Sequence, residues 1–179
     1  GRFNDTPILL GSNSDEGAMF VPPGVTAMAY AKQVRDSYGA KADGILAANP
    51  HSTDAEALTA TKNLFRDSAF AWPTWAWAKL QTQKGKGKAY VYYFDFRTPQ
   101  SPNGANHGAE IGYVFRNPAS PMVQPTEEDK KLSELMSAYW VNFAKTGDPN
   151  GPGLPQWPAF NDAAPKVMHF DKNSGARDG

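Results

Sequence analysis

A chain of 179 residues, with 18 acidic and 18 basic side chains and hence no net charge, is long enough for one domain. With 40% hydrophobic, 12% aromatic and 20% charged residues it has an ordinary globular composition, expected to bury roughly 70% of its unfolded surface. Neutrality argues against nucleic acid as a partner, the lack of cysteine excludes disulfide and thiolate chemistry, and no run of about 18 apolar residues is present to span a membrane.

The opening Gly-Arg-Phe-Asn has neither an initiator Met nor the profile of a secretory leader, so the chain reads as one entered in its middle. The triplet Asn4-Asp5-Thr6 matches a glycosylation acceptor, but such triplets are common by chance and it carries no weight. Residues 7–10 form a short apolar run, expected to be a buried strand that ends at Gly11 and the polar turn after it. One modest helix is expected over residues 25–38. The stretch HSTDAEALTATKNLF places Glu56 three residues after Thr53, a capping box that predicts a second helix. In RDSAFAWPTWAWAKLQTQ a further helix begins or kinks at Pro73, which lacks the N–H that a helix interior requires.

Lys84, Lys86 and Lys88 alternate with glycines and read as a solvated turn. Residues 89–96 are aromatic and β-branched with almost no alternation, the pattern of a strand covered on both faces. Such strands belong to parallel sheets flanked by helices, an α/β architecture. Residues 98–108 are rich in Pro, Gly and Asn and form a loop at that strand's end, where α/β folds place chemistry. The clearest helix is TEEDKKLSELMSAYWVNFAKTG. Thr126 caps it, three acidic residues load its first turn, Leu132, Leu135, Met136, Tyr139 and Phe143 share a face, and Gly147 closes it. The following DPNGPGLPQWPAF reads as a proline-locked tail on the surface. Two evident strands are too few for a doubly covered sheet, so the chain is expected to be the end of a larger domain.

Three histidines are present. His169 lies in an apolar mini-strand and His51 in a loop ahead of a helix cap, both structural in expectation. His107 sits between Gly104 and Gly108 in the loop after the buried strand, with Glu110 three residues on. Far upstream, Asp15 and Glu16 follow the first strand. A histidine acting as general base needs a carboxylate on its other ring nitrogen, and an acid and a histidine after neighbouring parallel strands would meet at their carboxyl ends. The alternative is that Asp15 and Glu16 only cap a following helix, and spacing alone leaves both readings open. A metal site at His51, Asp54 and Glu56 lacks the spacing to a second histidine.

The segments GSNSDEGAMF, NHGAEIGYVF and YWVNFAKTGDPNGPGLPQWPAF, with RDSAFAWP placing Asp67 and Pro73 on shared positions, together resemble the C-terminal part of type-B carboxylesterases, the cholinesterase-like family of the α/β-hydrolase superfamily. The resemblance runs over nearly the whole chain. It implies the C-terminal portion of an α/β-hydrolase sheet with flanking helices, incomplete on its own, within a single domain spanning residues 1–179. It implies Glu16 as the acid and His107 as the base of a Ser-His-Glu triad, Glu110 as a supporting acid behind the histidine, and Met19 and Phe20, after Ala18, as lining for the substrate. Asp15 then fixes the loop. It implies a small carboxylic-ester substrate and no cofactor, and family habit favours a secreted or periplasmic location.

The nucleophile itself is missing from the pattern. No serine has glycine at both positions two residues away, as the Gly-x-Ser-x-Gly elbow requires, and no glycine-rich oxyanion loop is found. The segment GYVF, shortly after Glu110, also departs from the resemblance, since many relatives carry a second acidic residue there. An N-terminal esterase segment bearing the serine is therefore the expected partner. The rival reading is a non-catalytic cholinesterase-like module that binds protein, or an inactive fragment, although a binding surface needs neither Glu16 nor His107.

Overall fold

The computed structural model describes residues 3–119 and 124–179, and its centre is a four-stranded sheet in the order β1-β2-β3-β4. Strands β1 (Ile8–Asn13), β2 (Ala89–Phe94) and β3 (Lys166–Phe170) run parallel, and β4 (Gly175–Asp178) returns antiparallel to β3. Parallel neighbours need crossovers. The first is made by α1 (Ala27–Tyr38), α2 (Ala42–Ala48), α3 (Asp54–Arg66) and α4 (Trp72–Lys84), the second by α5 (Ala109–Val114) and α6 (Glu127–Thr146).

Local chemistry sets most of these boundaries. Thr53 accepts from the Glu56 amide while Glu56 reaches back to the Thr53 amide, the expected capping box. Thr126 and Asp129 make a second one at the start of α6, where the sequence alone points to Thr126. Gly147 ends α6 at φ 75°, a backbone conformation that costs a residue with a Cβ. Pro73 stands in the first turn of α4, where its missing N–H matters least.

Four expectations need correction. β1 does not stop at Leu10 but continues to Asn13. Gly11 lies opposite Tyr92, and a Cβ there would run into the tyrosine ring, so the glycine is a notch for an aromatic side chain, not a strand breaker. The sheet has four strands, not two, because the mini-strand with His169 pairs with β2 and folds back as a hairpin with β4. Strand β2 ends at Phe94, two residues short of the expected limit, although Phe96 remains buried beyond it. The tail is no surface wrapping either, since Trp157 is fully buried and Phe160 nearly so. Asn150 clamps the tryptophan backbone, accepting from its N–H at 2.7 Å and donating to its carbonyl at 2.9 Å.

The sheet is covered on both faces. Tyr90, Phe94, Met136, Tyr139, Trp157 and Phe170 form an aromatic core beneath α6. Ala78, Ala89, Val91, Phe160 and Val167 fill the opposite face under α4. A third cluster of Tyr30, Val34, Leu46, Ala57 and Ala60 holds α1, α2 and α3 together.

Candidate active site

The parallel pairing of β1 with β2 brings the two loops of interest to one edge. Asn13 is in register with Phe94, so the chain leaves both strands at the same level. The ladder then continues into the loops. Ser14 N–H donates to the Phe94 carbonyl at 3.0 Å, Asp15 N–H to the Ala105 carbonyl at 2.9 Å, and the Ala105 N–H donates to Ser14 Oγ at 2.8 Å. Beyond these bonds Glu16 opens a 3-10 turn over Glu16–Met19, and His107 precedes Gly108, whose φ of 77° starts α5. Gly17 lets that turn lie against α3, because a Cβ there would meet the Lys62 backbone at 2.6 Å.

Glu16 and His107, 91 positions apart, are in contact, with Nδ1 2.5 Å from Oε2. A carboxylate only accepts, so the neutral ring that fits this contact has its proton on Nδ1 and its lone pair on Nε2. The other carboxylate oxygen, Oε1, accepts from the Asn13 N–H at 2.8 Å. Burying a charged carboxylate is costly unless its oxygens are occupied, and here both are. The Glu16 side chain is 5% exposed, whereas the His107 side chain is 45% exposed. The imidazole thus stands half in solvent while the carboxylate against its Nδ1 is buried.

Two phenylalanine rings meet the imidazole, and a third packs against both of them. Phe20 meets it edge-on at 5.4 Å and Phe70 tilts over it at 5.0 Å, and Phe65 stacks on Phe20 at 5.1 Å. Phe70 arrives through a π-helical turn, Asp67–Ala71, between α3 and α4. Such turns insert one residue, rotate the helix beyond them and recur at functional sites. Phe20 and Phe65 also line a cleft of about 340 Å³ with Val25, Tyr30, Val34 and Leu64. Of these rings the sequence singles out Phe20 alone. The π turn has no residue signature of its own, so nothing points to Phe65 and Phe70.

The remaining candidates have simpler surroundings. Glu110, on α5, accepts from Asn13 Nδ2 at 2.5 Å. Asp15 ties the two loops through its backbone, and its carboxylate lies 3.8 Å from Lys62 Nζ. Met19 stands 69% exposed at the end of its turn. His51 is turned to the Asn49 carbonyl, Asp54 accepts from the Ala27 N–H, and Glu56 is engaged in its capping box, so the three side chains serve local structure. His169 packs against Tyr93 and lies 3.3 Å from Arg177, and burial first, then the arginine charge, lowers its pKa. Among the described residues no three His, Asp or Glu side chains gather to hold a metal ion, and no helix is long and apolar enough to cross a membrane.

Known proteins share this arrangement of elements. The sequence profile of the carboxylesterase family matches residues 1–178. The fumonisin B1 esterase of Sphingopyxis macrogoltabida is 32% identical over 200 residues, an alignment covering all of this chain and 35% of that protein. A shorter stretch is 48% identical over 58 residues to the cocaine esterase of Homo sapiens, covering 32% of this chain and 10% of the relative. Among solved structures, a PNB esterase superimposes with a TM-score of 0.74 at 26% identity, over 96% of this chain and 36% of that one. The chain therefore spans about a third of the length of the relatives it matches from end to end.

Proposed function

Since the chain belongs to the carboxylesterase family, we propose that it supplies the acid and the base of a serine ester hydrolase, Glu16 and His107, to a nucleophile outside these 179 residues. In this reading it is the C-terminal segment of a single α/β-hydrolase domain. The observation that carries the proposal is the 2.5 Å contact of Nδ1 with Oε2 on a half-exposed imidazole.

The tautomer dictates the chemistry. His107 Nε2 takes the serine hydroxyl proton as the oxygen attacks the ester carbonyl, and backbone amides hold the resulting oxyanion. The imidazolium, stabilised by the buried Glu16 carboxylate, returns its proton to the alkoxide leaving group, which departs as an alcohol. Water then attacks the acyl-serine with its proton passing to Nε2, and the acid and free serine are released. Phe20 and Phe70 give one side of the imidazole an apolar wall and favour an apolar group on the ester.

Substituting His107 by Ala in the polypeptide that carries both this chain and the serine tests the role. The expected loss in kcat is on the order of 10⁴-fold or more. A loss below about tenfold would remove His107 from the mechanism.

A further inference from the structure

Asn13 is almost completely buried, at 1% exposure, and occupies the last position of β1. It touches the acid, the histidine loop and Glu110, but not the imidazole. Its backbone N–H holds Glu16 Oε1 at 2.8 Å. Its side-chain amide donates one proton to the carbonyl of Asn106, the residue before His107, at 2.8 Å, and the other to Glu110 Oε2 at 2.5 Å. The orientation of the amide is fixed by these partners. Both are acceptors, so a flipped amide would turn its oxygen toward two other oxygens. The cost of this orientation is that Asn13 Oδ1 is buried without a hydrogen-bond partner among the described residues. A residue serving only to fill space at a strand end would not need a polar side chain with one end unsatisfied, since an apolar side chain of similar shape removes the orphan.

We propose that Asn13 is the positioning residue that locks the acid loop and the histidine loop into one unit, setting the imidazole against Glu16. Glu110 then acts through Asn13: among the hydrogen bonds of the described residues its carboxylate reaches Asn13 and not His107. The support expected of Glu110 is relayed by the amide. The carboxylate restrains the amide proton, the amide restrains the Asn106 carbonyl, and His107 is the next residue along the chain. This inference rests on the acid–base reading of Glu16 and His107, and it adds the element that keeps the pair in register.

The test compares four forms of the serine-bearing polypeptide: the parent, Asn13→Ala, Asn13→Asp, and Asn13→Asp combined with Glu110→Gln. Ester kinetics, the melting temperature and the downfield proton resonance of the His107 Nδ1–H are read for each. Asn13→Ala should lower kcat by about tenfold to a hundredfold with KM within about threefold, the signature of a displaced reacting group, not of lost substrate contacts. Asn13→Asp should be worse, because it places a second carboxylate against Glu110. Adding Glu110→Gln restores a donor between the two side chains and should recover at least about tenfold of kcat over Asn13→Asp alone. A folded Asn13→Ala with kcat within about twofold of the parent overturns the proposal. So does a double variant no faster than Asn13→Asp. If Asn13→Ala does not fold, the comparison of Asn13→Asp with its double variant decides. Should the parent hydrolyse no ester, the functional reading fails by itself, and the His107 resonance, which needs no turnover, still judges Asn13. A shift or broadening in Asn13→Asp that the double variant reverses supports the lock, and an unchanged resonance refutes it.

Discussion

Two buried carboxylates in this molecule have different partners, and the difference separates chemistry from architecture. Asp129 is 9% exposed and Glu16 is 4% exposed, so burial alone does not tell them apart. Asp129 accepts from the Tyr113 hydroxyl at 2.6 Å and from the Thr126 hydroxyl and N–H at 2.6 and 2.7 Å, fastening α5 to the start of α6. None of those donors changes charge near neutral pH, and Tyr113 is driven further from ionising, first by its burial and then by Asp129 itself. Glu16 offers one oxygen to a backbone amide and the other to an imidazole that is half in solvent. A carboxylate enclosed by neutral donors holds structure, whereas one facing a partly exposed histidine can stabilise a proton in transit.

The largest effect should fall on the Glu16 side of this contrast. Alongside His107→Ala, Glu16→Gln keeps the shape of the side chain but presents the imidazole with an amide, which can favour the wrong tautomer. The expected loss is on the order of 10⁴-fold in kcat with KM little changed, read by steady-state ester kinetics. The same change should barely move the melting temperature by comparison with Asp129→Ala. That variant leaves the Tyr113 hydroxyl and the Thr126 amide unsatisfied and should cost about 3 kcal/mol in chemical denaturation, with kcat within about threefold of the parent below the transition.

A smaller effect probes the glycine that lets the acid loop approach α3. Gly17→Ala puts a Cβ 2.6 Å from the Lys62 carbonyl oxygen, and either the turn or α3 must shift. About 2 kcal/mol of stability should be lost, and with it part of the activity, because Glu16 opens that turn. The smallest effect is a dependence on pH. Burial alone would raise the Asp129 pKa, but hydrogen bonds from the Thr126 side chain, the Tyr113 hydroxyl and the Thr126 amide outweigh it and hold the value below the ordinary carboxylate range. A carboxyl depressed in the folded state contributes its full stability above the unfolded value of about 3.9 and loses that contribution as pH falls through the folded value. Denaturation midpoints of the parent should therefore decline on acidification below about pH 4 more steeply than those of Asp129→Ala.

How far these features were legible in the sequence depended on how local their causes are. The box of Thr53 and Glu56, the cap at Thr126 and the terminating Gly147 are each set by residues close in sequence, and each stands where expected. Glu16 and His107 were candidates because each follows a strand, but only the family resemblance singled them out as acid and base; the parallel pairing of the two strands is what brings them into contact. The six residues of α5 are too few to show a helical period, and no element was expected directly after the loop that ends at Gly108. Strand β4 exists only through its pairing with β3, and its exposed Arg177 and Asp178 gave no apolar signal. Trp157 stands two residues after Pro155 and just before Pro158, which suggested surface, and its burial depends on Asn150 and on the aromatic partners Tyr90, Tyr139 and Phe170. Asn13 lies within the GSNSDEGAMF segment, but nothing there sets it apart from the polar residues on either side. Its role appears only when the two loops are seen on either side of it.

The most direct test of the acid–base reading is the rate at which a fluorophosphonate labels the serine-bearing polypeptide, with the modified residue located by peptide mapping and the rate repeated for His107→Ala. The expected result is label on a serine outside these 179 residues and a rate reduced by about a thousandfold or more in the variant, because phosphonylation needs the same base as ester cleavage. Label on a serine within this chain, or an undiminished rate without His107, would contradict the reading.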